Sequence, residues 1–286
     1  MNRVLVTGAR GFVGSSLVRH LEHRGAEVHR LSREELYDHD RLIAALREAR
    51  PDHVFHLAGS PLVAGVGGTE VEAVEANVIG AFGLLDACVE ARIPSVTLTG
   101  DAFEYGPSTT ALREEQICRP TSVHGLTKLA ATTRGQEVAR SAACAVTTVR
   151  LFSVYGPGDR PQRLVPRLLA AARTGETVEL SDPAIVRDWV HIDDIVELYW
   201  QVAQHAETCS GLVINAGSGI ATSLGAVVET VEKVAGARVG VTWGAYPTAA
   251  HDLGHWIADP SLAAAELGWR ATTSLDEGIA AMWAAA

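Results

Sequence analysis

The sequence predicts an α/β protein with a Rossmann-like, doubly wound parallel sheet and a small C-terminal α/β domain. Over residues 1–155, short apolar runs alternate with segments of helical periodicity, which is typical of parallel strands joined by crossover helices. A glycine-rich turn joins the first run directly to the first helical segment. After Tyr155 a turn-rich segment precedes further short elements, so we expect the second domain to begin there.

Each predicted element follows from its own pattern. Continuous runs of β-branched residues and Leu predict buried strands, and apolar residues spaced by three and four predict helices. The predicted strands of the first half are residues 3–8, 27–32, 53–59, 95–100 and 145–156, and the predicted helices are 11–25, 38–51, 70–92 and 125–140. Beyond them we expect a helix at 163–175, a segment at 188–207 that returns to the main sheet, and a strand at 212–217 followed by two helices.

Composition excludes several classes of protein. The 286 residues carry a net charge of -10, which argues against a nucleic-acid surface. No apolar run approaches the roughly 20 residues that a membrane span needs, and the first residues lack signal-peptide features, so we expect a cytoplasmic protein. His251 and His255 have i,i+4 spacing without a companion acid, so no metal site is predicted. The scattered cysteines are expected to be free thiols (Cys88, Cys118, Cys144, Cys209).

A nucleotide site is predicted at the glycine-rich turn. Gly8 permits a tight turn, Gly11 lets the backbone approach a pyrophosphate, and Gly14 packs the helix against the strand. The amino end of that helix favours negative charge. The other residues of the turn expected to contact the dinucleotide are Arg10, Phe12 and Val13.

The end of the second predicted strand indicates which dinucleotide binds. NAD sites usually carry an acid there for the ribose hydroxyls, whereas this chain has Ser32 followed by Arg33. A hydroxyl and a guanidinium suit a 2′-phosphate, and Arg10 could reach the same group. NADP(H) is therefore the preferred cofactor, with NAD(H) as the second choice.

Several motifs, in this order, resemble those of the extended short-chain dehydrogenase/reductase family, also called the NAD-dependent epimerase/dehydratase family. They are TGARGFVG (7–14), HVFHLAG (53–59), ANVIGAFGLLDAC (76–88), TKLAAT (127–132), VRLFSVYGPGD (149–159) and VRDWVHIDDI (186–195). The resemblance covers nearly the whole chain. It implies an NADP-binding Rossmann domain over 1–155 and a smaller substrate-binding domain over 156–286, a small-molecule substrate, and a monomer or homodimer.

The resemblance also implies roles for individual residues. Lys128 would bind the nicotinamide ribose, and Asn77 would shape the site beside the sheet. Glu35 and Leu36 match an acidic–Leu pair that borders the adenine. The ends of two further strands are implied to line the cofactor through Leu57, Ala58, Gly59 and Thr99.

Three residues depart from the family pattern. His124 stands four residues before Lys128, where the family has its proton-transferring Tyr, and Asp101 replaces the Ser or Thr that bonds the same substrate oxygen. Ser153 replaces an Asn of the sugar-nucleotide site. Two mechanisms stay open: His124, aided by Asp101, acts as the acid, or water or a substrate hydroxyl supplies the proton. We favour the second.

The candidate substrate contacts lie mostly in the second half. Arg187 matches an Arg that commonly binds a substrate diphosphate, although it can equally pair with a neighbouring acid. Trp243 and Trp256 could line an apolar pocket. Ser60 and Ser153 are further candidates, and the glycine-rich segment 60–70 is expected to form a mobile loop beside the site.

Together these features predict an NADPH-dependent ketoreductase acting on a specialised metabolite, with an aromatic polyketide (angucyclinone) antibiotic intermediate as the expected substrate. The cofactor motifs are retained, while the missing Tyr and Asn argue against a standard epimerase. Two alternatives remain. One is a nucleotide-sugar epimerase, dehydratase or 4-ketoreductase with altered acid–base residues, which Arg187 supports. The other is a non-catalytic NADP-binding sensor.

Overall fold

The computed structural model describes residues 1–60, 68–246 and 254–285, so His251 and most of the loop predicted at 60–70 lie outside the described residues. The strands are β1 (Arg3–Thr7), β2 (Glu27–Arg30), β3 (His53–His56), β4 (Ser95–Asp101), β5 (Ala145–Leu151), β6 (Ser153–Tyr155), β7 (Thr177–Leu180), β8 (Val186–His191), β9 (Val213–Ala216), β10 (Ala221–Ser223) and β11 (Gly240–Trp243).

The helices follow the same chain order. They are α1 (Phe12–His23), α2 (Arg33–Leu36), α3 (His39–Ala49), α4 (Glu70–Val74), α5 (Gly80–Glu90), α6 (Val123–Ser141), α7 (Leu164–Thr174), α8 (Ile192–Gln204), α9 (Leu224–Ala235), α10 (Ser261–Leu267) and α11 (Leu275–Ala285). A π-helical turn (Glu75–Ile79) joins α4 to α5, and a 3-10 turn (Ala102–Glu104) follows β4. None of the helices in the described part of the chain has the length and apolarity needed to cross a membrane.

Six parallel strands form the main sheet of the described residues, in the order β2-β1-β3-β4-β5-β9. The strand order reverses between β1 and β3, and open parallel sheets bind ligands outside the carboxyl ends of the strands at such a point. Thr7 lies opposite His56 in the register of these two strands, so their carboxyl ends meet at one edge. The topology confirms the predicted doubly wound parallel sheet.

Both faces of the sheet are covered by helices. Because side chains alternate along a strand, Val4 and Val6 of β1 pack with α1 and α8, while Leu5 packs on the other face with α3 and α5. These residues are fully or almost fully buried. The two apolar layers fix the sheet between helices and leave its carboxyl edge as the place where loops and side chains can meet a ligand.

The second half of the chain adds two small sheets, β10-β8-β6 and β11-β7. A separate core lies between α7, α9 and α11, with Leu168, Val227 and Ile279 fully buried. The strand β9, however, pairs with β5 and belongs to the main sheet. The helix α8 also returns to that sheet, where Ile195 and Leu198 join its core. The division into domains at residue 155 stays a prediction.

Two predicted elements are divided in the structure. The strand expected at 145–156 is two strands, because the chain leaves the main sheet at Phe152 and β6 pairs with β8 instead. Phe152 packs in a satellite cluster with Trp256 and Tyr105. The helix expected at 70–92 is interrupted by the π-helical turn, so its two parts are out of regular α-helical phase.

The carboxylate of Asp188, in β8, ties three segments together. It is fully buried. One oxygen accepts hydrogen bonds from the backbone and hydroxyl of Ser218, at 2.7 and 2.6 Å. The other accepts from the backbone N–H groups of Gly219 and Ala258, at 2.9 and 3.0 Å. This carboxylate therefore satisfies donors from the loop after β9 and from the segment at Ala258.

We expect Asp188→Ala to lower the free energy of unfolding by about 3 kcal/mol or more, because four buried or partly buried donors lose their acceptor. Asp40→Ala, at an exposed position of α3, should change it by less than about 1 kcal/mol. Urea denaturation of the two variants measures the difference. An Asp188→Ala protein as stable as the wild type would show that these donors find other acceptors.

Candidate dinucleotide site and active site

The glycine turn after β1 brings two pieces of backbone unusually close together. Gly8 has a φ of +67°, and a Cβ there would lie 2.6 Å from the backbone nitrogen of Ala58. A Cβ on Gly14 would lie 2.1 Å from the carbonyl oxygen of Gly8. Only glycine permits these contacts, so the turn, the end of β3 and α1 are locked together.

The amino end of α1 follows this turn directly and has no side-chain cap. Its N-cap is Gly11, and no acid lies in the first turn, which begins with Phe12 and Val13. The N–H groups at the start of a helix and the helix dipole together favour a phosphate. The geometry therefore fits a dinucleotide pyrophosphate at Gly11, as the sequence predicts.

The end of β3 is held by a short polar chain. Thr7 Oγ1 lies 2.8 Å from His56 Nδ1 and accepts the backbone N–H of Ala58 at 3.1 Å. Burial, together with the nearby Lys128 cation, lowers the pKa of His56 to about 3. A neutral His56 thus supports the loop of Leu57, Ala58 and Gly59 on which a cofactor would rest.

The adenosine end has a hydrogen-bonded helix start. Ser32 caps α2 by accepting the N–H of Glu35, and the Glu35 carboxylate accepts the N–H of Ser32 in return, at 2.8 Å. Leu36 is buried in the core beneath them. Arg33 is exposed and its guanidinium lies 5.7 Å from the ring centroid of Tyr37. Arg10 is exposed as well, so both predicted phosphate ligands are accessible.

Lys128 lies under the loop that follows β3. Its Nζ donates to the carbonyl oxygen of Thr99 at 2.9 Å, and a Cβ on Gly59 would lie 3.3 Å from that Nζ. Burial lowers the pKa of Lys128, and the carboxylates of Asp101 and Glu104 oppose this effect. The ammonium is thus fixed between the ends of β3 and β4.

Asn77 sits in the π-helical turn and is 2% exposed. Its Oδ1 accepts the backbone N–H of Ser60 at 2.9 Å, and its Nδ2 donates to the Ser60 carbonyl and to Thr127 Oγ1, at 3.1 and 3.0 Å. These bonds occupy the amide. The contacts fit the expected shaping role, in which Asn77 fixes the start of the loop at Ser60 relative to α6.

His124 and Asp101 face each other across the mouth of the site. His124 Nε2 lies 3.4 Å from Asp101 Oδ2, and the side chains are 7% and 28% exposed. The other ring nitrogen, Nδ1, is buried and has no hydrogen-bond partner among the described residues. Burial raises the pKa of Asp101, but hydrogen bonds from His124 and from the N–H of Phe103, with the charge of Lys128, outweigh it and lower the pKa.

A buried acid that the sequence analysis missed lies directly beneath Asp101. Glu104 is fully buried, and its carboxylate pairs with Arg150 at 2.9 Å. The pair could have been suspected from two charged residues in unexpected places. Glu104 lies among apolar and aromatic neighbours after β4, and Arg150 lies inside the apolar strand β5. The two are 46 positions apart, so no local pattern connects them.

The predicted substrate residues fall into two groups. Ser153 and Arg187 lie on the neighbouring strands β6 and β8, and Trp256 forms a bridge with Arg187. Trp256 is 3% exposed and packs edge-on against Phe103 at 4.7 Å, so it supports the site wall from behind. Trp243 lies opposite Leu180 in the two-stranded sheet, which is separate from the sheet that holds Ser153 and Arg187.

Comparison with known proteins identifies relatives along the whole chain. The protein-family sequence model described as "NAD dependent epimerase/dehydratase family" matches residues 4–217. A dTDP-6-deoxy-L-talose 4-dehydrogenase (NAD(P)(+)) from Kitasatospora kifunensis is 29% identical, covering 99% of this chain and 95% of that protein. A UDP-glucose 4-epimerase from Lactobacillus helveticus is 26% identical, covering 98% and 96%.

Among solved structures, MoeE5 in complex with UDP-glucose and NAD matches with a TM-score of 0.87 and 31% identity, over 99% of this chain and 98% of that one. The match supports the Rossmann-like fold. The relatives named here act on or bind nucleotide sugars according to their names. They give no support to the predicted ketoreductase of an aromatic polyketide.

We expect Lys128→Met to raise the dissociation constant for NADP(H) by at least about tenfold, because a ribose hydroxyl loses a charged donor. The chain's other lysine provides a matched control. Lys233 is exposed and paired with Asp276, so Lys233→Met should leave the constant unchanged. Isothermal titration calorimetry on both variants, with circular dichroism to establish folding, measures the effect. Equal affinities in all three proteins would contradict this role of Lys128.

Proposed function

Because the chain belongs to the NAD dependent epimerase/dehydratase family, we propose that it is an NAD(P)-dependent oxidoreductase acting on a secondary hydroxyl or ketone of a nucleotide sugar. The observation that carries the proposal is the continuity of the site. The glycine turn at Gly8, the fixed ammonium of Lys128 and the Asp101–His124 pair lie in sequence along one edge of the main sheet.

The substrate class comes from the relatives. A nucleotide-sugar 4-dehydrogenase and a nucleotide-sugar 4-epimerase are both similar to nearly the full chain. Both reactions pass between a secondary alcohol and a ketone, which suits the position of Asp101 beside Lys128. Arg187, on the strand β8 that pairs with β6, supplies a cation of the kind that binds a diphosphate. The nucleotide-sugar alternative therefore replaces the aromatic-polyketide ketoreductase as the leading hypothesis.

NADP(H) is the proposed cofactor, with NAD(H) as the second choice. Bound in the glycine cradle, the dinucleotide supplies or accepts a hydride at the substrate carbon. Arg10 and Arg33 are exposed cations near the end of β2 and the glycine turn, and a 2′-phosphate would be their common ligand. The residues present fit this group, since the helix start at Gly11 is uncapped and the strand end lacks the acid typical of NAD sites.

Asp101 and His124 are the proposed residues for transfer of the substrate hydroxyl proton. Asp101 is the more exposed member of its pair, and its lowered pKa keeps it a carboxylate at neutral pH. It can accept the proton of a substrate hydroxyl during oxidation, while the N–H of His124 Nε2, 3.4 Å away, holds the carboxylate in place. The same pair can return the proton to an alkoxide during reduction. This geometry favours the Asp101–His124 pair over water as the proton partner.

We expect Asp101→Asn to lower kcat by about 100-fold or more, because an amide cannot accept the substrate proton. His124→Phe should lower kcat by about tenfold or more, since it removes the ring nitrogen that hydrogen-bonds Asp101 while preserving a planar ring. The assay follows NAD(P)H absorbance with UDP- and dTDP-sugars and with aromatic ketones. The controls Asp40→Asn and His39→Phe alter exposed positions of α3 and should retain wild-type rates.

The outcomes of this assay separate the hypotheses. Nearly full activity in both Asp101→Asn and His124→Phe would indicate that water or a substrate hydroxyl supplies and accepts the proton. Turnover of aromatic ketones, with no sugar accepted, would overturn the nucleotide-sugar proposal. Tight cofactor binding without turnover of any sugar or ketone in the panel would favour a sensor.

We expect Arg33→Ala to raise the dissociation constant for NADP by about 10- to 100-fold and to leave that for NAD within about twofold, because only NADP carries the 2′-phosphate. Arg47→Ala is the matched control, since Arg47 is exposed on α3 and pairs with Glu90. Titration calorimetry with both dinucleotides on the wild type and the two variants measures the six constants. An equal loss for NADP and NAD would show that Arg33 does not read the phosphate.

A further inference from the structure

A buried pair of opposite charges holds the backbone of Asp101. Glu104 Oε2 accepts from Arg150 Nε at 2.9 Å, and Glu104 Oε1 accepts the N–H of Asp101 at 2.9 Å. Glu104 is 0% exposed and Arg150 is 3% exposed. We propose that Glu104, fixed by Arg150, is a positioning residue that sets how the Asp101 carboxylate meets His124. The proposal rests on the function proposed above.

Stability alone gives little reason for these charges. Removing two charges from water is costly, and well-packed apolar residues often replace such a pair without loss of stability. The Glu104 carboxylate, however, has a second oxygen, and that oxygen binds the residue placed at the reaction centre. An apolar pair would leave the N–H of Asp101 without this acceptor.

The Arg150 side of the pair is fixed by further contacts. Its guanidinium lies 4.3 Å from the ring centroid of Tyr105, and its Nη2 donates to Cys118 Sγ at 3.2 Å. The Tyr105 hydroxyl in turn donates to Asn215 Oδ1 at 2.8 Å, which ties the ring to β9. Contacts with residues of the main sheet therefore fix Arg150, and its ion pair in turn fixes the Glu104 carboxylate.

The local backbone is shaped to admit the pair. A Cβ on Gly100 would lie 2.5 Å from Glu104 Oε1 and 3.0 Å from Arg150 Cγ. A Cβ on Gly125 would lie 2.3 Å from the carbonyl oxygen of Phe103, so α6 rests directly on the turn that carries Glu104. The distance between Asp101 and the start of α6 is consequently fixed from both sides.

The Asp101 side chain has its own constraints. Oδ1 accepts the N–H of Phe103 at 2.9 Å, and Oδ2 faces His124 Nε2. With its N–H on Glu104, the residue is held at three points. A displacement of about 1 Å at a catalytic group can cost about 100-fold in rate, so loss of one of these points is expected to be measurable.

The test compares two double variants that remove the same charges. Glu104→Leu/Arg150→Leu removes the ion pair and the acceptor for Asp101. Glu104→Gln/Arg150→Leu removes the ion pair but keeps an oxygen that can accept the Asp101 N–H. We expect the Leu/Leu protein to lose about 10- to 100-fold in kcat with cofactor affinity unchanged. The Gln/Leu protein should stay within about threefold of wild type.

Gly100→Ala provides a second route that leaves both charges in place. Its added methyl group should displace Glu104 from Asp101 and reduce kcat in the same direction. The control is Gly83→Ala in α5, where a Cβ would meet nothing within 4 Å. Thermal unfolding followed by circular dichroism establishes which proteins are folded. If one variant does not fold, the other route still tests the proposal.

A readout without substrate separates this proposal from the function proposed above. The ¹³Cγ resonance of Asp101, followed against pH, reports the pKa that His124, Phe103 and Lys128 hold low. We expect that pKa to rise in the Leu/Leu and Gly100→Ala proteins and to stay low in the Gln/Leu and Gly83→Ala proteins. An Asp101 titration that is the same in all five proteins, wild type included, would overturn the positioning role. A wild type without turnover would overturn only the proposed function.

Discussion

The close approach of the Gly8 turn to the end of β3 is the contact on which the rest of the site depends. Two missing side chains, at Gly8 and Gly14, allow α1, β1 and β3 to meet at distances that any Cβ would forbid. That contact sets the floor of the cofactor cradle and the position of Gly59. Lys128 and Asn77 are then placed relative to Gly59, within 3.3 and 2.7 Å of where its Cβ would be. The candidate site is thus positioned, residue by residue, from a backbone contact.

The site keeps its shape through buried polar groups that are paired inside the protein. His56 bonds Thr7, Asn77 bonds Ser60 and Thr127, and Glu104 bonds Asp101. Each such group would be costly to bury alone. Because these groups are hydrogen-bonded, they specify one arrangement of the loops. Apolar packing alone would allow several. His124 Nδ1 differs, because it is buried without a hydrogen-bond partner in the part of the chain that the structure describes.

Local patterns predicted the main sheet and much of the cofactor side of the candidate site. The glycine turn, the uncapped start of α1 and the spacing of Lys128 from His124 are all short-range features, and the family resemblance added Asn77 and Gly59. The Glu104–Arg150 pair could not be predicted in this way, since its members meet only after β4 and β5 align in the sheet. The division of 145–156 into two strands depends likewise on Phe152 packing against distant residues.

Because of the π-helical turn at Glu75–Ile79, the position of Asn77 depends on the exact number of residues in this helix. Such a turn accommodates about one residue more than an α-helical turn, and removing one residue between Asn77 and α5 would restore regular helix. Every position before the deletion would then rotate by about 100° relative to α5. Asn77 would leave Ser60 and Thr127, while the apolar face of α5 kept its packing with α3. In a helix whose exposed residues are open to substitution, insertions and deletions near this turn would be far less tolerated than changes of residue type.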